Sequence, residues 1–294
     1  MRNSAARLGA SLGSGFRSGL GLAGLAGVAV RVVRAALLAE VRCAGCGCVV
    51  PGAACGALCP QCAEAVAPLQ RAACPGCGEM LGEISGEALS EMSGQTVGEI
   101  SGQVVGESGC EAQAALCARC QASPRPWGRV LVYGEYQGRL KDMILGYKFS
   151  DRLDYGRRLQ ECALAAFEAG LAAHPELSGC EGLVPVPLHP RRLLARGFNQ
   201  SRELARLISA RRGLPIWQDA LVRVRRTTPQ MHLARGARAE NIRGAFAGRA
   251  ELVAGRQLLL VDDIMTTGAT LEECARALLH AGAKRVDVLA LARA

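Results

Sequence analysis

Residues 258–261 form an unbroken aliphatic run, "LLLV", and two acids, Asp262 and Asp263, follow at once. A short apolar run with polar boundaries is the pattern of a strand covered on both faces. Residues 130–136, the stretch "GLVPVPL" (182–188) and residues 286–291 repeat it, with β-branched side chains in each. Between these runs the apolar period lengthens to that of a helix. It predicts a short helix over 140–147, a longer one over 153–171, another over 202–212 and a last one over 270–281. The last carries Leu271, Cys274, Leu278 and Ala281 on one face and stops at Gly282. Strands alternating with helices predict an α/β fold, a parallel sheet with helices on both faces.

Before residue 122 cysteine, not periodicity, organises the chain. Four CxxC pairs stand at Cys43/Cys46, Cys59/Cys62, Cys74/Cys77 and Cys117/Cys120, with Cys48, Cys55 and Cys110 left over. Zinc takes four thiolates in a tetrahedron, and each CxxC turn supplies two, so eight sulfurs make two structural zinc sites. Sequential pairing gives two consecutive ribbons, and spacing alone leaves a crossed arrangement open. Between the second pair of turns, residues 82–109 repeat in eights ("GEISGEAL", "SEMSGQTV", "GEISGQVV") and are too polar to bury much, so they read as an expanded loop without assigned function. The predicted organisation is an extension over 1–42, partly disordered or helical, a double zinc ribbon over 43–121 with an insertion at 78–110, and an α/β domain over 122–294.

At 294 residues the chain has room for that domain and a smaller one. Fourteen cysteines would suggest a disulfide scaffold in a short secreted chain. Their grouping into CxxC pairs instead suggests metal binding in a reducing compartment, and a cytoplasmic location is expected. The first forty residues are Arg-rich with one acid, Glu40, a composition shared with organellar transit peptides. Their apolar stretch 20–30 is too short for a membrane span. A formal GxGxxG at residues 19–24 has no strand before it and is read as chance composition. The net charge of +9 is concentrated: residues 185–243 hold thirteen arginines against Glu203, Asp219 and Glu240, which favours an anionic ligand there.

The stretch "LLLVDDIMTTGAT" (258–270) carries the candidate chemistry. In parallel sheets ligands bind at the carboxyl ends of strands. Thr266, Thr267, Gly268, Ala269 and Thr270 lie where a loop becomes a helix, a position at which N–H groups, hydroxyls and the helix dipole favour a phosphate. Two carboxylates beside a phosphate must face another part of the same ligand, and ribose hydroxyls fit. A Walker A loop is excluded because no GKS or GKT occurs. A receiver domain is excluded because only 31 residues follow Asp263, too few for its remaining strands.

The stretch resembles the phosphoribosyl pyrophosphate (PRPP) signature of type I phosphoribosyltransferases. With "LVPVPLHPRRLLARGFNQSRELAR" (183–206), "RTTPQMHLARGARAENIRGAF" (226–246), the tail "LEECARALLHAGAKRVDVLALARA" and the double zinc ribbon, the chain resembles the ComF family of competence-associated, amidophosphoribosyltransferase-like proteins. The resemblance runs from about Cys43 to the C-terminus and departs in the first forty residues and the octad insertion. It implies that Asp262 and Asp263 hold the ribose 2′ and 3′ hydroxyls as anchors at the catalytic centre, and that residues 266–270 cradle the 5′-phosphate. Residues 189–199 would form a pyrophosphate-side loop and 228–238 a mobile flap. Arg191, Arg192, Arg196, Arg235 and Arg238 supply forked donors for a pyrophosphate or other polyanion. Asn199, Gln200, Gln230 and Asn241 are candidates for positioning a nucleophile or pinning loops, and His189, His232 and His280 are the nearest histidines. The implied cofactors are two structural Zn2+ and Mg2+ with PRPP. The implied activity is phosphoribosyl transfer, and the competing reading is a protein of the DNA-uptake machinery that binds single-stranded DNA.

Overall fold

The structure is a computed structural model that describes residues 41–51, 57–68, 73–81, 116–150, 152–225 and 240–294. The N-terminal extension, the octad repeat and the proposed flap lie outside the described residues. Two one-turn helices, α1 (Pro60–Glu64) and α2 (Ala118–Ala122), each follow the first cysteine of a CxxC turn. Then come β1 (Val130–Glu135), α3 (Gly138–Phe149), α4 (Asp154–Ala173), β2 (Gly182–Pro185), α5 (Pro190–Arg196) and α6 (Gln200–Arg212). The chain ends with β3 (Leu221–Arg223), β4 (Phe246–Gly248), α7 (Ala250–Val253), β5 (Gln257–Met265), α8 (Ala269–His280) and β6 (Arg285–Arg293).

Four strands form a parallel sheet in the order β1-β6-β5-β2, and β3 and β4 form a separate antiparallel hairpin. Alternate side chains of each strand enter different cores, because a strand covered on both faces sends successive residues to opposite sides. Leu259, Val261, Leu289 and Leu183 pack with α3, α4 and α6 on one face. Leu258, Leu260, Val288 and Val184 pack with α8 and the β3–β4 hairpin on the other. The α/β sheet flanked by helices on both faces is therefore present.

Two boundaries differ from the sequence reading. The central strand continues past its aliphatic run: Asp262 pairs with Ala290, Ile264 with Ala292 and Met265 with Arg293. The acids thus lie within the paired strand and not beyond its end. Backbone pairing needs no apolar side chain, and β6 offers an uninterrupted partner over Arg285–Arg293. The second difference is the hairpin and α5, whose three and seven residues are too short to show periodicity.

The cysteine units clasp the β1 end of the sheet, one against each core. Tyr133 Oη donates to Val66 O at 2.5 Å, and Ala44 and Val66 join the α3–α4 core. On the other side Trp127 Nε1 donates to Gly76 O, Val130 N donates to Pro75 O, and Arg293 Nε donates to Cys77 O.

The hairpin is held to α8 by close backbone approach at Gly248, where an added Cβ would stand 2.7 Å from both Ala277 O and the Ala281 methyl. A helix carbonyl cannot give way as a side-chain tip can. Gly248→Ala should therefore destabilise the protein by about 1–3 kcal/mol, measured by urea denaturation, and an unchanged midpoint would contradict this packing.

Candidate functional site

The connections leave β5 and its neighbour β2 in opposite directions. After β5 the chain turns into α8 on one face, and after β2 it passes through α5 into α6 on the other. A crevice opens where such paths diverge, outside the carboxyl ends of the strands. Pro185 is in register with Val261, so residues 186–199 and 262–268 flank the same crevice.

The paired acids sit on its β5 side, and each has a protein partner. Asp263 is 7% exposed, and Lys148 Nζ, at the end of α3, lies 2.7 Å from its Oδ2. Oδ2 is buried and has no hydrogen-bond partner of acceptable angle, so charge and not an aligned N–H holds the pair. Half-buried Asp262 accepts through Oδ1 from Ser201 Oγ at 3.0 Å and from the Asp263 amide at 2.9 Å. Removal from water and, next, repulsion by Asp263 push the Asp262 carboxyl from 3.8 up to about 7. Near neutral pH Asp262 is therefore only partly ionised.

Beyond them, Gly268 caps α8 with φ +80°, a conformation that glycine adopts without strain. A Cβ there would meet the Met265 methyl at 2.8 Å, so the loop is fitted closely as well as twisted. Thr267 Oγ1 accepts from Ala269 N. Arg125, which enters from the segment before β1, donates to Thr267 O and pairs with Glu272 at 2.7 Å. Arg276 also pairs with Glu272, so the one acid in the first turn of α8 is largely neutralised. The positive helix end stays available to an anion.

Across the crevice, His189 Nδ1 accepts from Arg191 N and caps α5, and Gly197 ends it in the left-handed region. Arg191 and Arg192 are exposed on this helix. Arg196 is partly buried, bonds Gln200 and feels the charge of Asp263, while desolvation lowers its pKa. Its guanidinium also lies 5.2 Å over the ring of Phe149. Asn199 caps α6 by accepting from Ser201 N and Arg202 N, and its Nδ2 donates to Val186 O, so it pins this loop. Of the arginines expected to face an anion, Arg196 stands with the acids, and Arg191 and Arg192 project from the same short helix. Arg235, Arg238, Gln230 and His232 lie outside the described residues. His280 ends α8, roughly 16 Å along the helix from the loop. A cleft of about 640 Å3 opens at the other end of the sheet, lined by Gly128, Glu176, Ser178, Gln257, Lys284 and Arg285, and shares no residue with this site.

Sequence reasoning missed Lys148, Ser201 and Arg125. Lys148 and Arg125 lie in no motif and Ser201 sits in the 183–206 motif without a role assigned to it, and only topology brings them to the acids and the loop. One signal was available for Lys148: it is one of three lysines in a chain whose other cations are arginines.

The cysteines form two groups, each with four sulfurs within 4.8 Å of one another, and they pair sequentially. The second group is Cys74, Cys77, Cys117 and Cys120, as expected. The first is Cys43, Cys46, Cys59 and Cys48, so a cysteine taken as spare stands where Cys62 was expected. Burial raises the thiols of Cys43 and Cys74, but N–H groups of Cys59, Cys46 and Gly45, and of Cys117, Gly76 and Cys77, outweigh it. They bring Cys43 down to about 6 and Cys74 to about 7. Burial raises the thiols of Cys77 and Cys120, so the fit to tetrahedral zinc rests on the clustering of four sulfurs in each group.

A parallel sheet with paired acids and a glycine-turned threonine loop at a switch point defines a phosphoribosyltransferase-type domain. The phosphoribosyl transferase domain family matches residues 197–294. The chain is 36% identical over 183 residues to DNA utilization protein YhgH of Salmonella typhi, covering 60% of this chain and 77% of that one. It is 31% identical over 180 residues to Competence protein F of Haemophilus influenzae, covering 60% and 78%. The structure of a glutamine PRPP amidotransferase from B. subtilis overlaps half of this chain and 30% of that one, at 19% identity and a TM-score of 0.34, too low to add to the sequence match. The chain belongs to the ComF family of competence-associated proteins, with two cysteine groups preceding its phosphoribosyltransferase-type domain.

Two predictions follow from the acids. Lys148→Met leaves Asp263 buried without its counter-charge and should cost about 3–5 kcal/mol, whereas Lys148→Arg should cost less; equal stability of Lys148→Met and the parent in urea would show that the pair is not holding the site. Because the folded pKa of Asp262 is raised, the folded state binds a proton that the unfolded chain releases, and stability should fall as pH rises from 3.8 towards about 7. Asp262→Asn should flatten that part of a Tm-against-pH profile, and an unaltered slope would place the titration elsewhere.

Proposed function

We propose that this protein binds PRPP with Mg2+ in the β2–β5 crevice and transfers its phosphoribosyl group with release of pyrophosphate. The observation that carries this reading is the placement of two interior acids and a helix-capping threonine loop on one strand end, opposite an arginine-bearing helix. A carboxyl on Asp262 that is partly protonated near neutral pH can donate as well as accept, which suits a ribose hydroxyl. The Thr266–Thr270 loop with the α8 dipole would take the 5′-phosphate. Arg196, Arg191 and Arg192 would face the pyrophosphate, and Arg235 and Arg238 are proposed to act from the segment over it.

In the reaction the bond from the anomeric carbon to the pyrophosphate oxygen breaks, and pyrophosphate leaves with the electron pair. The acceptor's lone pair closes the new bond, and its proton passes to the leaving group or solvent. Mg2+, bound mainly through ligand oxygens, would supply charge neutralisation at the pyrophosphate. The protein's own part is to fix the ribose through Asp262 and Asp263, orient the leaving group and stabilise its growing charge with arginine. The acids act as anchors, and Lys148 pairs with Asp263.

A second reading has its own support. Phe149 is 64% exposed beside Arg196, and the adjacent helix carries Arg191 and Arg192 on its exposed surface. An open ring among guanidinium groups suits the stacked bases and phosphates of single-stranded DNA. The names of the relatives, one for DNA utilization and one for competence, point the same way.

Isothermal titration of PRPP with Mg2+ should give saturable binding that Asp262→Asn and Asp263→Asn each weaken by about 10- to 100-fold; undiminished binding would remove the acids from the site. Pyrophosphate release across a panel of amines and bases then identifies the acceptor, and release with none of them would leave binding without transfer. For the second reading, a gel shift with single-stranded DNA should weaken with salt and with Phe149→Ala. No shift at low salt would discard it.

A further inference from the structure

The two cysteine units share one plan. In each a CxGC turn has its glycine packed beneath the sulfur of the last cysteine: a Cβ at Gly76 would come 3.0 Å from Cys120 Sγ, and one at Gly45 would come 2.6 Å from Cys62 Sγ. Gly47 and Gly78 both follow the turn at positive φ. By this correspondence Cys62 holds in the first unit the place that Cys120 holds in the second. Cys62 is buried, and its thiol interacts with Cys59, Cys46 and Cys43. Yet the four sulfurs within 4.8 Å of one another in this unit include Cys48 and not Cys62. Cys48 is exposed and interacts with Cys46 and Cys59. The second unit has no fifth cysteine among the described residues.

We infer that the first unit is a five-thiol zinc site: Cys43, Cys46 and Cys59 are fixed ligands, and exposed Cys48 and buried Cys62 are interchangeable in the fourth position. Zinc accepts either because its filled d-shell imposes no directional preference beyond the tetrahedron, and the two candidates offer the same donor atom. Among the described residues the second site has a single fourth ligand, Cys120, and the first has two. Loss of one thiol by oxidation or alkylation at Cys48 then leaves the first site filled through Cys62.

Zinc content of the purified full-length chain tests this, and alanine is the replacement because serine oxygen can itself bind zinc. The parent should hold about two zinc per chain. Cys48→Ala and Cys62→Ala should each keep both, the double variant should lose one, and Cys120→Ala alone should lose one. If the double variant does not fold, Co2+ substitution decides on the single variants: each should keep two tetrahedral thiolate centres with undiminished charge-transfer intensity. Loss of one metal from Cys62→Ala alone makes Cys48 a bystander, loss from Cys48→Ala alone makes Cys62 one, and both metals retained in the double variant removes both; each overturns the inference. A parent chain without zinc would overturn the zinc reading itself, a result distinguishable from these by the parent measurement alone.

Discussion

Two carboxylates placed side by side in the interior of a sheet repel one another and lose water, and the architecture around the crevice answers that conflict. A lysine from the end of α3 reaches Asp263, a hydroxyl from the first turn of α6 reaches Asp262, and the raised pKa of Asp262 lets protonation there lower the remaining charge. These partners come from two helices on one face, α3 in the β1–β2 crossover and α6 after β2. The loop after β5 belongs to the helix on the other face. The divergence of those two paths opens the crevice, and the buried charges tie its walls together. A structural strand would carry a third and fourth aliphatic pair at these positions; keeping two acids there costs stability, as expected where a site is preorganised for a ligand.

Much of this was legible in the chain. Apolar-rich, β-branched stretches marked all four strands of the main sheet, because strands buried on both faces cannot hide their composition. The helical period marked the four long helices to within about two residues at most ends. The turn from β5 into α8 was readable because glycine and threonine cluster at that strand-to-helix junction. What stayed hidden has two physical causes. Elements of three to seven residues, such as β3, β4 and α5, carry no period. Long-range partners such as Lys148 and Ser201 depend on which helix crosses which strand, and that is a property of topology. The strand end was misplaced for a third reason: an acid in the sequence reads as a boundary, whereas a backbone ladder continues wherever the neighbouring strand does.

The cysteine units follow the same logic at smaller scale. Neither could form a core from its few apolar residues, so each leans on the sheet through single hydrogen bonds from Tyr133, Trp127 and Arg293, and on its sulfurs for the rest. Spacing left sequential and crossed pairing open, and the structure has the sequential one; nor could spacing tell Cys48 from Cys62, because a turn can bring either to the same three sulfurs.

Amide hydrogen exchange with and without PRPP and Mg2+ tests the central claim most directly, since it reports both walls of the crevice in one experiment. The account predicts that added ligand protects residues 266–271 together with residues 186–200 and leaves the cleft around Ser178 and Gln257 unchanged. Protection confined to that opposite cleft, or to one wall alone, would contradict it.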